Sequence, residues 1–294
     1  MKILITGCSG MLGTDLCEVL IGENEIHGVD TKQPTCHSSL ITCHLLDITD
    51  FRKTYKTITK INPEIIIHTA AWTDVDGAQK NPKDAYRLNV LGTRNIALSC
   101  QRFDTALVYI SSDYIFDGEK KEPYIEFDRP NPLSVYGKSK YYGELVVQQL
   151  LNKFFIVRSS WLYGINGKNF VKTIMNLAQV KKELKVVNDQ IGCPTYTKDL
   201  AKAINVLLTA GLYGIHHITN SESCSWYEFA KEIVKLSGSG CKVLPTTTEE
   251  FNSLAKRPKN SVLKNFMWEL NGFEPLRSWQ EALLDYLKDN TDKR

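Results

Sequence analysis

The sequence lacks several features that would have placed it in other classes of protein. None of its 294 residues belongs to a run approaching the roughly 18 to 20 apolar residues that cross a bilayer, and the apolar opening at residues 1–7 is too short for a signal peptide. The chain also lacks a large excess of charge of either sign, because its 36 lysines and arginines nearly balance its 33 aspartates and glutamates. It contains no block of basic residues. We therefore expect a cytoplasmic protein with neither a membrane nor a nucleic-acid partner.

Cysteine is dilute in this chain, and no two cysteines have the C-x-x-C spacing of zinc and redox sites. We expect all eight to be reduced thiols: Cys8, Cys17, Cys36, Cys43, Cys100, Cys193, Cys224 and Cys241. In a strand, the adjacent pair His216 and His217 would point its rings to opposite faces and could not easily share a metal. We favour the alternative of strand residues with one buried face.

The first half of the chain alternates short apolar runs with helical patterns. The apolar runs predict strands at residues 2–6, 26–30, 64–69, 106–112 and 154–158. Helical patterns lie between them at residues 11–20, 50–60, 82–101 and 134–151. Pro82 and Ser134 suit the first turn and the cap of their helices. This alternation is typical of βαβ units, so we predict an α/β fold with a doubly wound parallel Rossmann sheet.

After residue 161 the alternation gives way to segments rich in glycine, asparagine and proline. A helix at 197–208 and a strand at 214–219 predict a return to the sheet. Further helices are predicted at 225–236 and 279–287, with a loop at 245–258. We therefore predict a first domain over residues 1–160, with its return at 197–219, and a smaller C-terminal lobe mainly over 161–294.

A glycine-rich turn joins the first predicted strand to the first helix, with the spacing G-x-x-G-x-x-G. Glycines there allow a tight turn and let backbone N–H groups approach a pyrophosphate at the helix N-terminus. Without this strand and helix around it, such a turn would as readily be structural. In this context it predicts an NAD(P)-binding domain whose cofactor contacts include Gly7, Ser9, Gly10, Met11, Leu12 and Gly13.

Asp30 ends the second predicted strand and bears on the choice between NAD and NADP. A carboxylate there accepts hydrogen bonds from the adenosine ribose hydroxyls and repels a 2′-phosphate, which favours NAD. Lys32 follows closely and could pair with that phosphate. The preference between NADH and NADPH is therefore open at this point.

Two further segments extend the predicted cofactor site. Asp47 and Ile48 follow a short third strand, where the carboxylate either meets the adenine edge or caps a helix. Ala70 and Ala71 follow the fourth strand and are small enough to let the cofactor pass. We expect Asp47, Ile48, Ala70 and Ala71 to contact the cofactor.

Tyr136 and Lys140 stand four residues apart in the helix predicted after the fifth strand, so they share one helical face. A free phenol has a pKa of about 10, but a lysine ammonium and a positively charged nicotinamide ring both favour the phenolate and lower that pKa. The pair therefore predicts a phenol that exchanges a proton with a carbonyl or alkoxide oxygen. Both residues are also expected to contact the cofactor.

Ser112 and Asp113 end the fifth predicted strand, at the edge where ligands of open α/β folds bind. Ser112 is expected to hydrogen-bond the reacting oxygen, and the alternative is that it only caps a turn. Trp161 follows the sixth strand, where an indole could pack against the apolar side of a deoxysugar. Its alternative role is ordinary core between the two lobes.

Several segments resemble the extended short-chain dehydrogenase/reductases. The resemblance lies in the glycine loop, in the S-S-D-Y-I-F-D-G segment at residues 111–118, and in the Y-x-x-x-K pair. Within that group the chain resembles the dTDP-4-dehydrorhamnose reductases, through motifs at residues 158–164 (R-S-S-W-L-Y-G), 169–170 (N-F), 188–195 (N-D-Q-I-G-C-P-T) and 257–261 (R-P-K-N-S). This resemblance covers nearly the whole chain and both lobes.

The resemblance implies a reductase that passes hydride from NADPH or NADH to C4 of dTDP-4-dehydro-L-rhamnose, yielding dTDP-L-rhamnose for cell-surface polysaccharide. It implies that Tyr136 is the proton donor, that Lys140 also holds the nicotinamide ribose, and that Ser112 stands where the family has threonine. The expected substrate contacts are Ser112, Asp113, Tyr136 and Trp161. Some members bind magnesium at a dimer contact, so a magnesium ion and a homodimer remain open expectations.

Two other functions stay open at this point. A dehydratase or epimerase on the same fold usually needs an Asp-Glu pair after the fifth strand, whereas here Asp113 is followed by Tyr114. The family's relatives also include a non-catalytic regulatory subunit of methionine adenosyltransferase. The intact Tyr136 and Lys140 argue against that function, because a binding subunit needs neither.

Overall fold

The computed structural model describes residues 1–32 and 38–292. Its strands are β1 (Lys2–Thr6), β2 (Glu25–Asp30), β3 (Ile41–Leu45), β4 (Ile65–His68), β5 (Ala106–Ser112), β6 (Phe154–Ser159), β7 (Leu162–Tyr163), β8 (Glu183–Val187), β9 (Ile191–Gly192), β10 (Thr195–Tyr196), β11 (Gly214–His217), β12 (Cys224–Ser225) and β13 (Lys242–Thr246). Its α-helices are α1 (Met11–Leu20), α2 (Phe51–Ile61), α3 (Val75–Lys80), α4 (Pro82–Tyr86), α5 (Thr93–Phe103), α6 (Val135–Leu150), α7 (Phe170–Val180), α8 (Thr197–Ala210), α9 (Trp226–Leu236), α10 (Thr248–Phe251), α11 (Phe266–Leu270) and α12 (Trp279–Asp292). No helix in these ranges is both long enough and apolar enough to span a bilayer.

A seven-stranded sheet with the order β11-β6-β5-β4-β1-β2-β3 lies at the centre of the fold. Every neighbouring pair of strands is parallel. The chain runs outward from β1 to β3 and then outward on the other side from β4 to β11, so the predicted doubly wound sheet is confirmed. The carboxyl ends of all seven strands consequently meet at one edge.

Helices cover both faces of this sheet. On one face α1 and α8 pack together, and their Leu16 and Ile204 side chains are fully buried against the strands. On the other face α2, α5 and α6 contribute Ile58, Ile96 and Val147, which are also fully buried. Each such side chain stabilises the fold by about 1.5 to 3 kcal/mol through removal of apolar surface from water.

A third apolar cluster lies among the residues that follow Trp161. Small sheets pair β7 with β10, β9 with β12 and β8 with β13, and the helices α7, α9 and α12 pack around the buried Phe229 and Tyr286. Between these segments α8 crosses back and β11 pairs with β6. A Rossmann domain over 1–160 with a return at 197–219, and a smaller lobe over 161–294, is the division that we propose for this arrangement.

The helix predicted at residues 82–101 is not continuous. Pro82 stands at the first turn of α4 as predicted, but a π-helical segment, Arg87–Gly92, separates α4 from α5. Asn89 in this segment is buried and exchanges hydrogen bonds with the backbone of Trp72 and with Ser139. A widened turn allows that inward-facing amide, which periodicity alone does not reveal.

The loop predicted at residues 245–258 is wrong in its first part. Pro245 belongs to β13, which among the described residues pairs with β8 alone. The strand therefore has an unpaired side, where the missing N–H of proline costs no hydrogen bond. Thr247 then caps α10 by accepting the Glu250 N–H at 3.2 Å. The elements β7 to β10 and α7 were not predicted, because their short lengths and glycine-rich surroundings hide the pattern.

The prediction of eight reduced cysteines is wrong for Cys43, which is disulfide-bonded. Dilution along the chain and the lack of C-x-x-C spacing do not exclude a pair at another spacing. Cys36 lies outside the described residues, and the other six are free thiols. His216 and His217 are both buried, and their rings bind different partners, the Leu212 carbonyl and the Tyr124 and Lys264 carbonyls.

His68 lies at the end of β4 between two threonine hydroxyls. Its Nδ1 lies 2.7 Å from the Thr6 hydroxyl and its Nε2 lies 3.1 Å from that of Thr93. Thr93 donates its own proton to the Asn89 backbone carbonyl at 2.7 Å, so its oxygen accepts from Nε2–H. Burial, and then the Lys140 charge, lower the pKa of His68 to about 3.

This depressed pKa predicts a loss of stability in acid. Between pH 6.5 and about 3 the unfolded chain binds a proton that the folded His68 does not, so the free energy of unfolding falls by about 1.4 kcal/mol per pH unit as pH decreases. In His68→Gln this contribution is absent. We compare the free energies of unfolding of the wild-type protein and His68→Gln, measured with urea at pH 6.5 and at about pH 5. The difference between the two proteins should be about 2 kcal/mol smaller at the lower pH. A constant difference would contradict the assignment.

Candidate active site

A cleft of about 760 Å³ lies along the carboxyl edge of the central sheet. It is lined by the ends of β1, β2, β4, β5 and β6, by the starts of α1 and α6, and by residues of the C-terminal lobe. The predicted site residues that line it are Gly7, Gly10, Met11, Leu12, Gly13, Asp30, Ile48, Ala70, Ala71, Ser112, Asp113, Tyr136, Lys140 and Trp161. Ser9 and Asp47 are exposed and are not among the lining residues.

The glycine loop folds so tightly that side chains would collide in it. Gly7 has φ +69°, and a Cβ there would lie 2.9 Å from the Ala70 nitrogen. A Cβ on Gly13 would lie 2.2 Å from the Gly7 oxygen. Gly10 caps α1 without any side chain, so the first N–H groups of this helix face the cleft with no side-chain cap. This backbone cradle is the arrangement that holds a pyrophosphate.

Two carboxylates flank the adenosine end predicted for the cleft. Asp30 accepts the Ser9 N–H at 3.2 Å and the Thr31 N–H at 2.7 Å, so it fixes the glycine loop to the end of β2. Asp47 accepts the Thr49 N–H at 2.9 Å in a local turn. The cap of α2 is Asp50 rather than Asp47, because Asp50 accepts the Lys53 N–H. Contact of Asp47 with a cofactor stays a prediction.

Tyr136 faces Ser112 and Asp113 across the cleft floor. Ser112 accepts the Tyr114 N–H at 3.1 Å and donates to Asp113 at 3.0 Å, so it caps a turn as well as lining the cleft. Burial raises the pKa of Tyr136 to about 12, although its hydrogen bond with Ser112 acts in the opposite direction. Burial likewise raises the pKa of Asp113 to about 7.

This environment corrects the expected effect of Lys140 on Tyr136. The predicted depression of the phenol pKa is wrong for the protein by itself, because burial outweighs every opposing interaction. Lys140 is only 4% exposed, and burial lowers its own pKa to about 7 although Glu144 raises it. Its ammonium is held 4.3 Å above the centre of the Tyr109 ring. At neutral pH Tyr136 therefore keeps its proton.

Several buried polar atoms along this wall have no hydrogen-bond partner within residues 1–32 and 38–292. They are Ser111 Oγ, Asp113 Oδ2, Ser159 Oγ and Trp161 Nε1, and all four residues line the cleft. Buried polar atoms are usually satisfied, and these four belong to cleft-lining residues without themselves being open to the cleft. Ser111 and Ser159 lie at the carboxyl ends of β5 and β6, and sequence reasoning gave neither of them a role.

Trp161 stands at the junction of the two lobes in a left-handed backbone conformation, with φ +47°. Its indole stacks on that of Trp226, with ring centres 3.4 Å apart and planes 6° from parallel. A Cβ on Gly192 would lie 2.5 Å from this indole, so the glycine admits it. Trp161 thus both lines the cleft and packs between the lobes, and the two expectations for it are not exclusive.

Among the cleft residues that come from the C-terminal lobe, sequence reasoning gave no role to Leu162, Gly167, Lys168, Trp226 and Arg257. Arg257 donates to Asp76 on α3 at 2.7 Å and also hydrogen-bonds Tyr114. No sequence pattern around Trp226 indicates that it lies in the cleft. Arg257 belongs to the R-P-K-N-S motif, but the sequence analysis assigned it no role. Tyr114, which packs edge-on against Tyr136 with ring centres 6.0 Å apart, was missed as well.

A parallel doubly wound sheet with a glycine loop after its first strand, and a Tyr-x-x-x-Lys helix beside the same cleft, defines the Rossmann-type short-chain dehydrogenase/reductase class. Within that class, the model of the RmlD substrate binding domain family matches residues 1–291. The chain belongs to this family, that of the dTDP-4-dehydrorhamnose reductases. The family is one of oxidoreductases.

Three similar proteins illustrate the relationship. The spore coat polysaccharide biosynthesis protein SpsK of Bacillus subtilis is 40% identical, and the match covers 99% of this chain and 98% of that protein. A dTDP-4-dehydrorhamnose reductase from Clostridium acetobutylicum is 44% identical, with a TM-score of 0.92 over 98% of this chain and 99% of the other. The Bacillus anthracis dTDP-4-dehydrorhamnose reductase in complex with NADP is also 44% identical, with a TM-score of 0.88 and the same coverage.

Proposed function

We propose that this protein catalyses the NADPH- or NADH-dependent reduction of the C4 keto group of dTDP-4-dehydro-L-rhamnose to dTDP-L-rhamnose. The observation that carries the proposal is the meeting of Ser112, Tyr136 and Lys140 with the glycine loop in one cleft. The Clostridium and Bacillus anthracis relatives bear the name of this reductase. The Bacillus subtilis relative belongs to polysaccharide biosynthesis, which favours the same product class.

The cleft fits a nicotinamide dinucleotide on three counts. The glycine loop has no side chain at Gly7, Gly10 or Gly13 to occupy the cleft, α1 starts without a side-chain cap, and buried polar atoms at the strand ends have no hydrogen-bond partner in the described part of the chain. The residues proposed to hold it include Gly10, Met11, Asp30 and Lys140. When bound, the reduced nicotinamide supplies the hydride. The choice between NADH and NADPH is proposed as loose, because Asp30 opposes a 2′-phosphate while the Bacillus anthracis relative holds NADP.

Tyr136 is proposed as the proton donor to the sugar oxygen at C4. Its raised pKa keeps the phenol protonated at neutral pH, which is the form that a reduction requires. Ser112, which hydrogen-bonds the phenol, is proposed to orient this proton donor. Lys140 is proposed to hold the nicotinamide ribose through its ammonium, as the family resemblance implies. Asp113, which lines the cleft beside Ser112, is proposed to contact the sugar.

The diphosphate of the nucleotide sugar needs positive charge near the C-terminal lobe. Lys168 and Arg257 are the cationic residues that the C-terminal lobe contributes to the cleft lining. Arg257 is already oriented by its 2.7 Å bond to Asp76, so it can present its guanidinium with little loss of side-chain entropy. We therefore propose these two cations as the diphosphate contacts.

A matched assay tests the reaction. The purified protein is mixed with NADPH or NADH and with dTDP-4-dehydro-L-rhamnose, and the loss of reduced-nicotinamide absorbance is followed while the sugar product is identified by NMR. We expect one cofactor oxidised for each sugar consumed, with a new hydroxyl at C4 and an unchanged configuration at every other sugar carbon. Sugar conversion without net cofactor oxidation would point to the epimerase or dehydratase alternative. Cofactor binding without any turnover across a panel of 4-keto sugars would favour the regulatory-subunit alternative.

Trp161 is proposed as the wall against the deoxysugar. In Trp161→Ala we expect the KM for the sugar nucleotide to rise about tenfold, because the ring contact and the exclusion of water are lost. Trp161→Phe keeps an aromatic ring stacked on Trp226, so its KM should rise less than that of Trp161→Ala. The control is Trp268→Ala, since Trp268 is buried in the sheet core away from the cleft. It should lower the free energy of unfolding by about 3 to 5 kcal/mol and leave KM unchanged.

Steady-state kinetics and melting curves of these variants distinguish a Trp161 that contacts the substrate from a Trp161 that only packs between the lobes. A Trp161→Ala protein that loses as much stability as Trp268→Ala, yet keeps a normal KM in its folded fraction, would remove Trp161 from the substrate site.

A further inference from the structure

The short helix α3 lies beside the cleft, where Thr73 and Val75 belong to the lining. Asp74 caps this helix by accepting the Gly77 N–H at 2.9 Å. Asp76 makes its contacts with the C-terminal lobe instead, with residues that lie 179 and 181 positions further along the chain. Asp76 is therefore a direct link between the two parts of the molecule that form the cleft.

The single carboxylate of Asp76 holds both the backbone and the side chain of that distant segment. Its Oδ1 accepts the Ala255 N–H at 2.9 Å, and its Oδ2 accepts a terminal nitrogen of Arg257 at 2.7 Å. The other terminal nitrogen of Arg257 lies 3.4 Å from Oδ1 and donates to the Ala255 carbonyl at 3.2 Å. A guanidinium held through two nitrogens has little freedom of orientation, so Asp76 determines where it points.

Asp76 is itself fixed relative to the helix that carries the proposed proton donor. Gln79 lies three residues further along α3, and its side-chain oxygen accepts the Val135 N–H at 3.2 Å. Val135 is the first residue of α6 and Tyr136 is the second. The first N–H groups of a helix have no partner within it, so this bond ties α3 to the first turn of α6. Arg257 is thereby held at a fixed place relative to Tyr136.

The charges at this contact allow two roles of Asp76 to be distinguished. In the part of the chain that the structure describes, Asp76 is the only carboxylate that forms an ion pair with Arg257. A carboxylate that merely stood near a bound diphosphate would repel it, and its removal would strengthen binding. A carboxylate that orients a guanidinium toward the diphosphate favours binding, and its removal would weaken it. The two roles therefore predict effects of opposite sign.

We propose that Asp76 is a positioning residue that holds the Arg257 guanidinium in place for the diphosphate of a nucleotide sugar. In such a substrate a few covalent bonds join the diphosphate to the sugar ring. An anchor at a fixed place relative to Tyr136 therefore also helps to place the keto group beside the proton donor. This inference rests on the proposed function, because it takes Arg257 as a diphosphate contact.

Calorimetric titration with dTDP tests this role without any turnover. Asp76→Asn removes the charge that holds Arg257 and keeps an oxygen for the Ala255 N–H. We expect the affinity for dTDP to fall about tenfold, and the KM for dTDP-4-dehydro-L-rhamnose to rise by a similar factor with little change in kcat. The affinity for NADPH should stay the same. If Asp76→Asn does not fold, Asp76→Ser takes its place, since serine also offers an oxygen there.

Two controls accompany the titration. In an Arg257→Gln protein, Asp76→Asn should cause no further loss of dTDP affinity, because the carboxylate then has no guanidinium to hold. Asp289→Asn breaks another ion pair, the 2.8 Å contact of Asp289 with Lys198, and neither of these residues lines the cleft. This variant should keep the wild-type affinity for dTDP.

The outcomes separate this inference from the reductase assignment. A loss of dTDP affinity in Asp76→Asn that requires Arg257 supports the positioning role. A folded Asp76→Asn protein with unchanged or tighter dTDP binding overturns it, and so does an equal loss with and without Arg257. Either result leaves the reductase proposal intact, provided that the wild-type protein reduces the sugar. A wild-type protein that neither binds dTDP nor reduces the sugar overturns both.

Discussion

Tyr136→Phe is expected to lower turnover by roughly 10² to 10⁴ while the dinucleotide still binds. The substitution removes only the phenolic O–H, which is the proposed proton donor, and leaves the ring that packs edge-on against Tyr114. The fold should be unaffected, because Tyr136 lies in the first turn of α6 and phenylalanine keeps its ring. Steady-state kinetics and calorimetric titration with NADPH check the two halves of this prediction.

The matched control is Tyr142→Phe on the same helix. Tyr142 is 45% exposed and stacks on Tyr86 away from the cleft, so loss of its hydroxyl should not alter turnover. Ser112→Thr restores the residue type of the family and should keep activity, whereas Ser112→Ala should lose part of it. Near-normal turnover in Tyr136→Phe would show that the proton comes from another group.

Gly10→Val is expected to weaken dinucleotide binding by about 10²-fold or more, equivalent to about 2.7 kcal/mol. Gly10 has a negative φ that valine accepts, and its added Cβ would meet only the Gly7 oxygen, at 3.1 Å. The loop can therefore remain folded, while the branched side chain fills the space that a pyrophosphate needs. Calorimetry with NADPH and a melting curve measure these effects separately.

Gly22→Val provides the control for this prediction, because a Cβ there meets nothing within 4 Å. Gly13→Val would be uninformative, since its Cβ would lie 2.2 Å from a backbone oxygen and the loop itself would be displaced. Normal affinity in a folded Gly10→Val protein would remove the glycine loop from the cofactor site.

The sequence predicted those parts of the fold and site that depend on local pattern. Strand β5 and helix α1 were predicted with the bounds observed, and Ser134 caps α6 as expected by accepting the Gly137 N–H. Tyr136 and Lys140 meet in the cleft because four-residue spacing on a helix fixes a shared face whatever surrounds it.

What could not be predicted depends on contacts between distant segments. Trp226 reaches the cleft only because the C-terminal lobe stacks it on Trp161, and no pattern near residue 226 indicates this. In the protein without its cofactor the pKa of Tyr136 is raised rather than lowered, because burial, which is a property of the whole fold, has the largest effect. The π-helical segment likewise could not be predicted, because it places Asn89 for a hydrogen bond with the distant Ser139.

The position of β11 has a consequence for how the chain folds during synthesis. This strand completes the sheet beside β6, yet nearly 60 residues separate the two in sequence, since Arg158 pairs with His217. Until β11 leaves the ribosome, β6 remains an apolar edge strand with unpaired backbone groups, which favours intermolecular pairing. A chain truncated at residue 160 should therefore aggregate, whereas one extended through α8 and β11 has its sheet edge covered.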